Sequence, residues 1–239
     1  MRPDALLAPL AAAPERSALL LDIDGTLAPI APRPELAAVP DGTKVELRRL
    51  TARYRLVACV SGRAGEDARR VVGIAGITYV GNHGLELDVR ADELAAAVAA
   101  FRDEVGLPVE DKRLSLSYHF RGASDEQAAR AELEGVAEKA RAAGLVARFG
   151  RKVLEVRPPL ATDKGTAVRI LLERSGVSRA LYAGDDTTDL DAFAALATDE
   201  LEHAVRIAVA AEEGPPELAQ AADLVVASPA ALAELLAGL

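Results

Sequence analysis

Two hydrophobic patterns alternate along the chain. In its outer parts, short and wholly apolar runs are separated by stretches of helical periodicity. Residues 18–23, 56–60, 77–80, 180–183, 206–210 and 224–226 have strand length. Residues 44–53, 66–72, 164–175, 190–196 and 229–236 repeat apolar positions three and four apart. Strands lacking a polar face, with helices between them, predict a parallel sheet covered on both sides. The middle reads differently. Residues 85–89, 114–120 and 153–156 alternate apolar with polar, and helices are predicted at 92–105 and 124–143. Alternation marks strands with one wet face, as in an antiparallel sheet. The expected organisation is an α/β domain formed by 1–84 and 158–239, with an α+β unit, 85–157, inserted into it.

Composition narrows the choice of partners. The chain has 239 residues, half of them hydrophobic and 27% charged, which is the balance of a folded protein. Four Tyr, four Phe and no Trp leave little for stacking on single-stranded bases, and a net charge of −9 argues against nucleic acid and anionic membranes. The lone Cys59 excludes an internal disulfide and a cysteine zinc cluster, and fits a reducing, cytoplasmic setting. No apolar run approaches the ~18–20 residues of a membrane span. Near the start, Arg2 precedes an apolar stretch, 5–13, that has a signal-peptide flavour. Asp4 and Pro9 interrupt it, so an arm or short helix is expected instead.

Four polar clusters follow apolar strands or open helices. Asp22-Ile23-Asp24-Gly25-Thr26 ends the first strand. Side chains two apart at a strand end can share a side, and open α/β sheets bind ligands at that end. Two carboxylates so close repel each other strongly unless a cation or a proton sits between them. Ser61-Gly62-Arg63 ends the second strand, where a hydroxyl and backbone amides suit a phosphate oxygen. Lys164-Gly165 opens a helix, against the preference for acids there, with Asp163 or Thr162 placed to cap it. Gly184-Asp185-Asp186-Thr187-Thr188-Asp189 follows another strand, and its three carboxylates form a hard-oxygen set suited to Mg²⁺. Singly, each is also an ordinary turn, cap or exposed lysine. Their joint order is what changes the reading.

That order resembles the haloacid dehalogenase (HAD) superfamily, whose four motifs match Asp22–Thr26, Ser61, Lys164 and Gly184–Asp189. The resemblance spans nearly the whole chain and implies a HAD-like Rossmannoid core with an inserted cap domain. Ser61-Gly62-Arg63, residues 81–86 (GNHGLE), 110–119 (EDKRLSLSYH), 152–158 (KVLEVRP) and the last motif are similar to trehalose-6-phosphate phosphatases. Leu190 stands where that family often has Glu.

The resemblance implies a Mg²⁺-dependent hydrolysis of trehalose 6-phosphate. Asp22 would be the nucleophile and Asp24 the acid and base. Asp22, Asp185 and the backbone carbonyl of Asp24 would hold the metal, supported from behind by Asp189. Ser61, Lys164 and the backbone amides near Gly25, Thr26 and Gly62 would bind the phosphate. Arg63, Asn82, His83, Lys112, Lys152 and Glu155 would meet the sugar. His119 and His203 are expected to be a structural strand residue and a surface residue. A synthase of the same pathway is a conceivable partner. Competing readings are a sucrose-6-phosphate or glycosyl-glycerate phosphatase, a phosphomutase, and an inactive sugar-phosphate-binding subunit.

Overall fold

The computed structural model describes residues 3–150, 152–210 and 214–239, so Arg2 lies outside it. In chain order it contains α1 (Pro3–Ala12), β1 (Ser17–Leu21), α2 (Asp41–Arg53), β2 (Leu56–Val60), α3 (Gly65–Val72), β3 (Thr78–Val80), α4 (Ala91–Val105), β4 (Glu110–Asp111) and β5 (Leu116–His119). There follow α5 (Glu126–Ala142), β6 (Val146–Gly150), β7 (Val153–Arg157), α6 (Lys164–Ser175), β8 (Arg179–Gly184), α7 (Asp189–Ala195), β9 (His203–Val209), α8 (Pro216–Ala221), β10 (Leu224–Val226) and α9 (Pro229–Ala237). Two compact units result. One joins the residues up to Gly84 with Thr162–Leu239, and the other is Leu85–Ala161.

The first unit is built on a parallel sheet of order β10-β9-β8-β1-β2-β3. β1 is buried along its whole length, which is why it reads as an unbroken apolar run. It pairs with β2 through Leu21↔Cys59 and with β8 through Leu21↔Ala183. From β1 the chain fills one side of the sheet first and the other later. Strand order therefore reverses between β1 and β8, and their carboxyl ends flank the crevice where such sheets take ligands. Leu19, Leu21, Val57, Leu181 and Ile207 of the sheet form one core with Leu10 of α1, Leu47 and Leu50 of α2 and Leu236 of α9. The residues expected as an arm or short helix form α1, bonded to the sheet through Ser17, Arg179 and His203, the Ser17 hydroxyl donating to the Leu10 carbonyl (3.4 Å). His203 Nε2 donates to the Leu6 carbonyl (2.8 Å), and Arg179 donates to the Pro9 carbonyl (2.6 Å). His203 is thus half-buried against a helix, not a surface residue.

The Leu85–Ala161 unit carries an antiparallel sheet of order β4-β5-β7-β6. One face presents Leu116, Tyr118, Leu154 and Val156 to Val98 and Phe101 of α4 and to Leu133, Val136 and Ala140 of α5. In register on the opposite face stand Glu110, Ser117, Glu155 and Arg148. Two expectations fail here. Residues 85–89 are not a strand: Asn82–Leu87 coil in short helical turns, and Asp88 donates its amide to the Leu85 carbonyl (3.0 Å). Leu85 is buried and Leu87 half-buried, but Val89 is 88% exposed, so the apolar alternation does not continue as one buried strand face. In addition two strands are unexpected: β4, two residues long, and β6, half-buried at Val146, Ala147 and Phe149 and broken by Arg148. His119 ends β5, exposed, with Nε2 2.7 Å from Glu110 Oε2. No helix among the described residues is long and apolar enough to cross a membrane.

Candidate active site

The strongest sequence clusters meet at the carboxyl ends of β1, β2 and β8. Asp22, the first residue past β1, donates its amide to the Ala183 carbonyl of β8 (2.9 Å) and is buried. Its Oδ1 lies 2.9 Å from Lys164 Nζ. The same ammonium is 2.7 Å from Asp189 Oδ1. Lys164 begins α6, capped by Asp163, whose Oδ1 accepts from the Thr166 amide (2.6 Å). A lysine placed against the helix dipole is explained by the carboxylates it faces. Gly165 lets α6 and α7 approach, since a Cβ there would lie 2.3 Å from the Asp191 carbonyl oxygen.

Asp189 is the brace of this group. Oδ1 accepts from Lys164 and from the Tyr182 hydroxyl (2.7 Å each), and Oδ2 accepts from the amides of Asp185 (3.0 Å) and Asp186 (2.9 Å). Oδ2 thus fixes the 184–189 turn, and Oδ1 ties that turn to Lys164 and Tyr182. Asp185 Oδ1 accepts from the Thr26 hydroxyl (3.1 Å). Ligand atoms of Asp22, Asp185 and Asp189 lie within 4.8 Å of one another.

These buried acids are electrostatically unhappy by themselves. Burial pushes the Asp22 carboxyl well above the ordinary range; Lys164 pulls it down, while Asp189 and Asp185 add to the rise. Burial, and then the charge of Asp189, push Asp185 from 3.8 up to about 7. Burial works against the charge on Lys164, but Asp189 and Asp22 outweigh it and hold the ammonium charged. Asp22 and Asp189 share one ammonium and Asp185 stands beside them without one, so ionising all three leaves two negative charges unbalanced. The donor set and this surplus fit a divalent cation bound by hard oxygens.

The 22–28 loop corrects two expectations. The amides of Gly25 and Thr26 are spent inside the loop, on the carbonyls of Ala28 (2.7 Å) and Ile23 (3.3 Å). The loop turns on itself before its amides can face outward, so Gly25 and Thr26 shape the acidic site instead of lining a phosphate cradle. Gly25 has φ of 83°, and a Cβ there would sit 2.1 Å from Asp185 Oδ2. Secondly, Asp22 and Asp24 part company. Asp22 turns to Lys164, whereas both oxygens of Asp24 accept from Arg63, Nε to Oδ2 (2.6 Å) and a terminal nitrogen to Oδ1 (2.7 Å). The charge closest bound to Asp24 is a guanidinium, not the neighbouring acid.

Ser61 is buried, and its Oγ accepts from the Arg63 amide (3.2 Å). The 61–63 turn interlocks with the 81–84 turn. The His83 amide donates to the Ser61 carbonyl (2.9 Å), and the Asn82 amide to the Arg63 carbonyl (2.7 Å). Asn82 and His83 both have φ of 52°, left-handed geometry that side chains seldom adopt. The His83 ring lies over Gly62, where a Cβ would meet Nε2 at 2.6 Å. Asn82 is buried and His83 half-buried.

The remaining predicted residues belong to the Leu85–Ala161 unit. Lys112 lies 3.9 Å from Glu110 Oε2, Glu155 stands in register with Ser117, and Lys152 pairs with Glu126 (3.0 Å). Sequence reasoning missed Tyr182 and Asp67. Tyr182 hides in an apolar strand. Asp67 lies in the first turn of α3 and reaches back to Arg63, which precedes that helix, so helical spacing does not announce the pair.

A family model described as trehalose-phosphatase matches residues 20–230. The chain belongs to the trehalose-phosphatase family. A trehalose-phosphate phosphatase of Mycobacterium marinum is 35% identical over 259 aligned positions, covering 98% of this chain and 62% of that protein. A solved structure described as a trehalose-6-phosphate phosphatase related protein superposes with a TM-score of 0.73 at 26% identity, covering 92% of this chain and 95% of that one. A haloacid dehalogenase-like hydrolase from Bacteroides thetaiotaomicron shares the fold, with a TM-score of 0.63, 15% identity and coverages of 92% and 98%. The expected HAD-like fold class is therefore present. The chain spans 15% to 62% of the length of its mycobacterial relatives.

Proposed function

We propose that this family member hydrolyses trehalose 6-phosphate to trehalose and phosphate. One observation carries the reading: the buried Asp22 shares Lys164 with Asp189, beside Asp185, at the reversal point of the parallel sheet. Family membership supplies the substrate class.

The residues divide the work as follows. A carboxylate oxygen of Asp22 attacks phosphorus, and the bond to the sugar oxygen breaks. Asp24 gives its proton to that departing oxygen. It then accepts a proton from the water that cleaves the aspartyl-phosphate. Lys164, the Ser61 hydroxyl and the Gly62 amide would offset charge on the phosphate oxygens. Asp22, Asp185 and the Asp24 carbonyl would hold Mg²⁺, with Asp189 bracing the turn. The ion, when bound, supplies the positive charge that lets a carboxylate approach a phosphate. Lys112, Lys152 and Glu155, on a unit serving as cap, together with Asn82 and His83, are the proposed sugar contacts. The proposed location is the cytoplasm, in keeping with a single cysteine that can form no internal disulfide, where a pathway synthase would supply the substrate.

A phosphate-release screen over sugar phosphates with Mg²⁺ tests the assignment. Trehalose 6-phosphate is expected at the top, and Asp22→Asn is expected to lose on the order of 10³-fold or more while keeping its circular dichroism spectrum. Trehalose 6-phosphate among the poorest substrates, or full activity in Asp22→Asn, would overturn the reading.

A further inference from the structure

The Asp24 side chain is about a third exposed, and the backbone fixes only where it starts: the Gly25 amide closes on Ala28, leaving the carboxylate's direction to its partners. Those partners are one guanidinium. Arg63, its side chain 8% exposed, forks onto both Asp24 oxygens. Its remaining terminal nitrogen donates to Asp67 Oδ2 (2.6 Å) and to the Pro34 carbonyl (3.1 Å). All three guanidinium nitrogens are engaged, and two carboxylates already answer its single charge. A cation so committed is poorly placed to bind a phosphate or a sugar directly, contrary to the role expected of Arg63. It is well placed to aim Asp24.

We propose that Asp67, acting through Arg63, is a positioning residue for the leaving-group step. Asp67 sits in the first turn of α3 and is itself held by Arg70, which donates to Oδ1 through Nε (2.9 Å) and a terminal nitrogen (2.6 Å). The chain Arg70–Asp67–Arg63–Asp24 therefore ends on the group that must meet the departing oxygen. In that step the Asp22–phosphorus bond forms, the phosphorus–oxygen bond to the sugar breaks, and the Asp24 proton passes to the sugar oxygen. The proposal rests on the reading of Asp24 given above.

The test uses Asp67→Asn, with Asp67→Glu as the conservative control, in single-turnover cleavage at saturating ester. That regime removes binding and the second half-reaction from the measured rate. Two esters are compared, trehalose 6-phosphate, whose alkoxide must be protonated to leave, and 4-nitrophenyl phosphate, whose phenolate leaves unaided. Asp67→Asn is expected to slow the sugar ester about tenfold or more and the nitrophenyl ester less than about twofold, and Asp67→Glu to recover most of the loss. Equal slowing of both esters would mark a merely structural role and overturn the proposal. So would an unchanged single-turnover rate beside a raised steady-state KM, which would return Arg63 to substrate binding. A crystal structure of Asp67→Asn with Arg63 still forked onto Asp24 overturns it without any assay. If Asp67→Asn fails to fold, Asp67→Ala takes its place. If the unmodified protein prefers another sugar ester, the substrate assignment falls and the ratio is read on that ester, so the two failures stay separate.

Discussion

Asp22, Lys164 and Asp189 are closed off from solvent and hold one another at 2.7–2.9 Å, whereas Arg113 and Asp92 of the second unit meet at 2.6 Å with most of both side chains in water. Glycines divide the same way. In the first unit a Cβ on Gly25, Gly62, Gly84, Gly165 or Gly184 would fall within 3.0 Å of a neighbour. In the second, Gly106, Gly122, Gly135 and Gly144 face open space. Short distances alone thus say little. A buried ion group costs several kcal/mol to desolvate and breaks badly when one partner is lost, while an exposed pair contributes about 0–1 kcal/mol. The first unit concentrates constraint at the carboxyl ends of its central strands.

The sharpest way to break this contrast is at Gly184. Its Cβ would lie 2.2 Å from Asp189 Cγ, so Gly184→Ala is expected to destabilise by about 3 kcal/mol and to disturb the acidic turn. A denaturant melt checks it, and a wild-type midpoint would show the packing to be slack. Next in size is the acidic group's response to pH. Folded Asp185 keeps its proton up to about 7 against 3.8 normally. The unfolded chain releases that proton first, so the stability it confers is full below about pH 4 and is lost as pH rises through about 7. Metal-free protein should lose about 5 °C in Tm or more between about pH 5 and 8. Asp67, Asp88, Glu126, Glu202 and Asp223 have lowered pKa values, so their contribution is already complete above about pH 5 and leaves that window clear. Adding Mg²⁺ should remove most of the slope, and an unchanged slope would deny the cation its place. The smallest effect is a gain. Gly135 lies inside α5 with nothing near its missing side chain, so Gly135→Ala should stabilise by about 0.5–1 kcal/mol.

The same contrast decides what could be read in advance. β1, β2 and β8 are buried on both faces and appear as bare apolar runs, and the acids that follow them stand out for that reason. The antiparallel sheet signalled itself only through β5 and β7, its two central strands. Of its edge strands, β4 is two acids and β6 is neither a bare apolar run nor a clean alternation, and residues 85–89 imitated a strand by chance alternation. In the site, identities were legible and directions were not. That Asp24 would turn to Arg63, that Thr26 would serve Asp185, and that Tyr182 would reach Asp189 depend on side-chain torsions no local pattern encodes. Asp67 was missed for the same reason: Arg63 lies outside α3, so no helical spacing announced the pair.

The central position of β1 also governs assembly. Its bonds to β2 link segments about forty residues apart, but its other neighbour, β8, arrives only after the whole 85–161 excursion. On a ribosome, Asp22 must therefore wait for most of the polypeptide to be synthesised before Lys164, Asp185 and Asp189 can join it. Until then one edge of β1 is unpaired and sticky, the exposure that slows long-range pairing and invites aggregation in nascent chains.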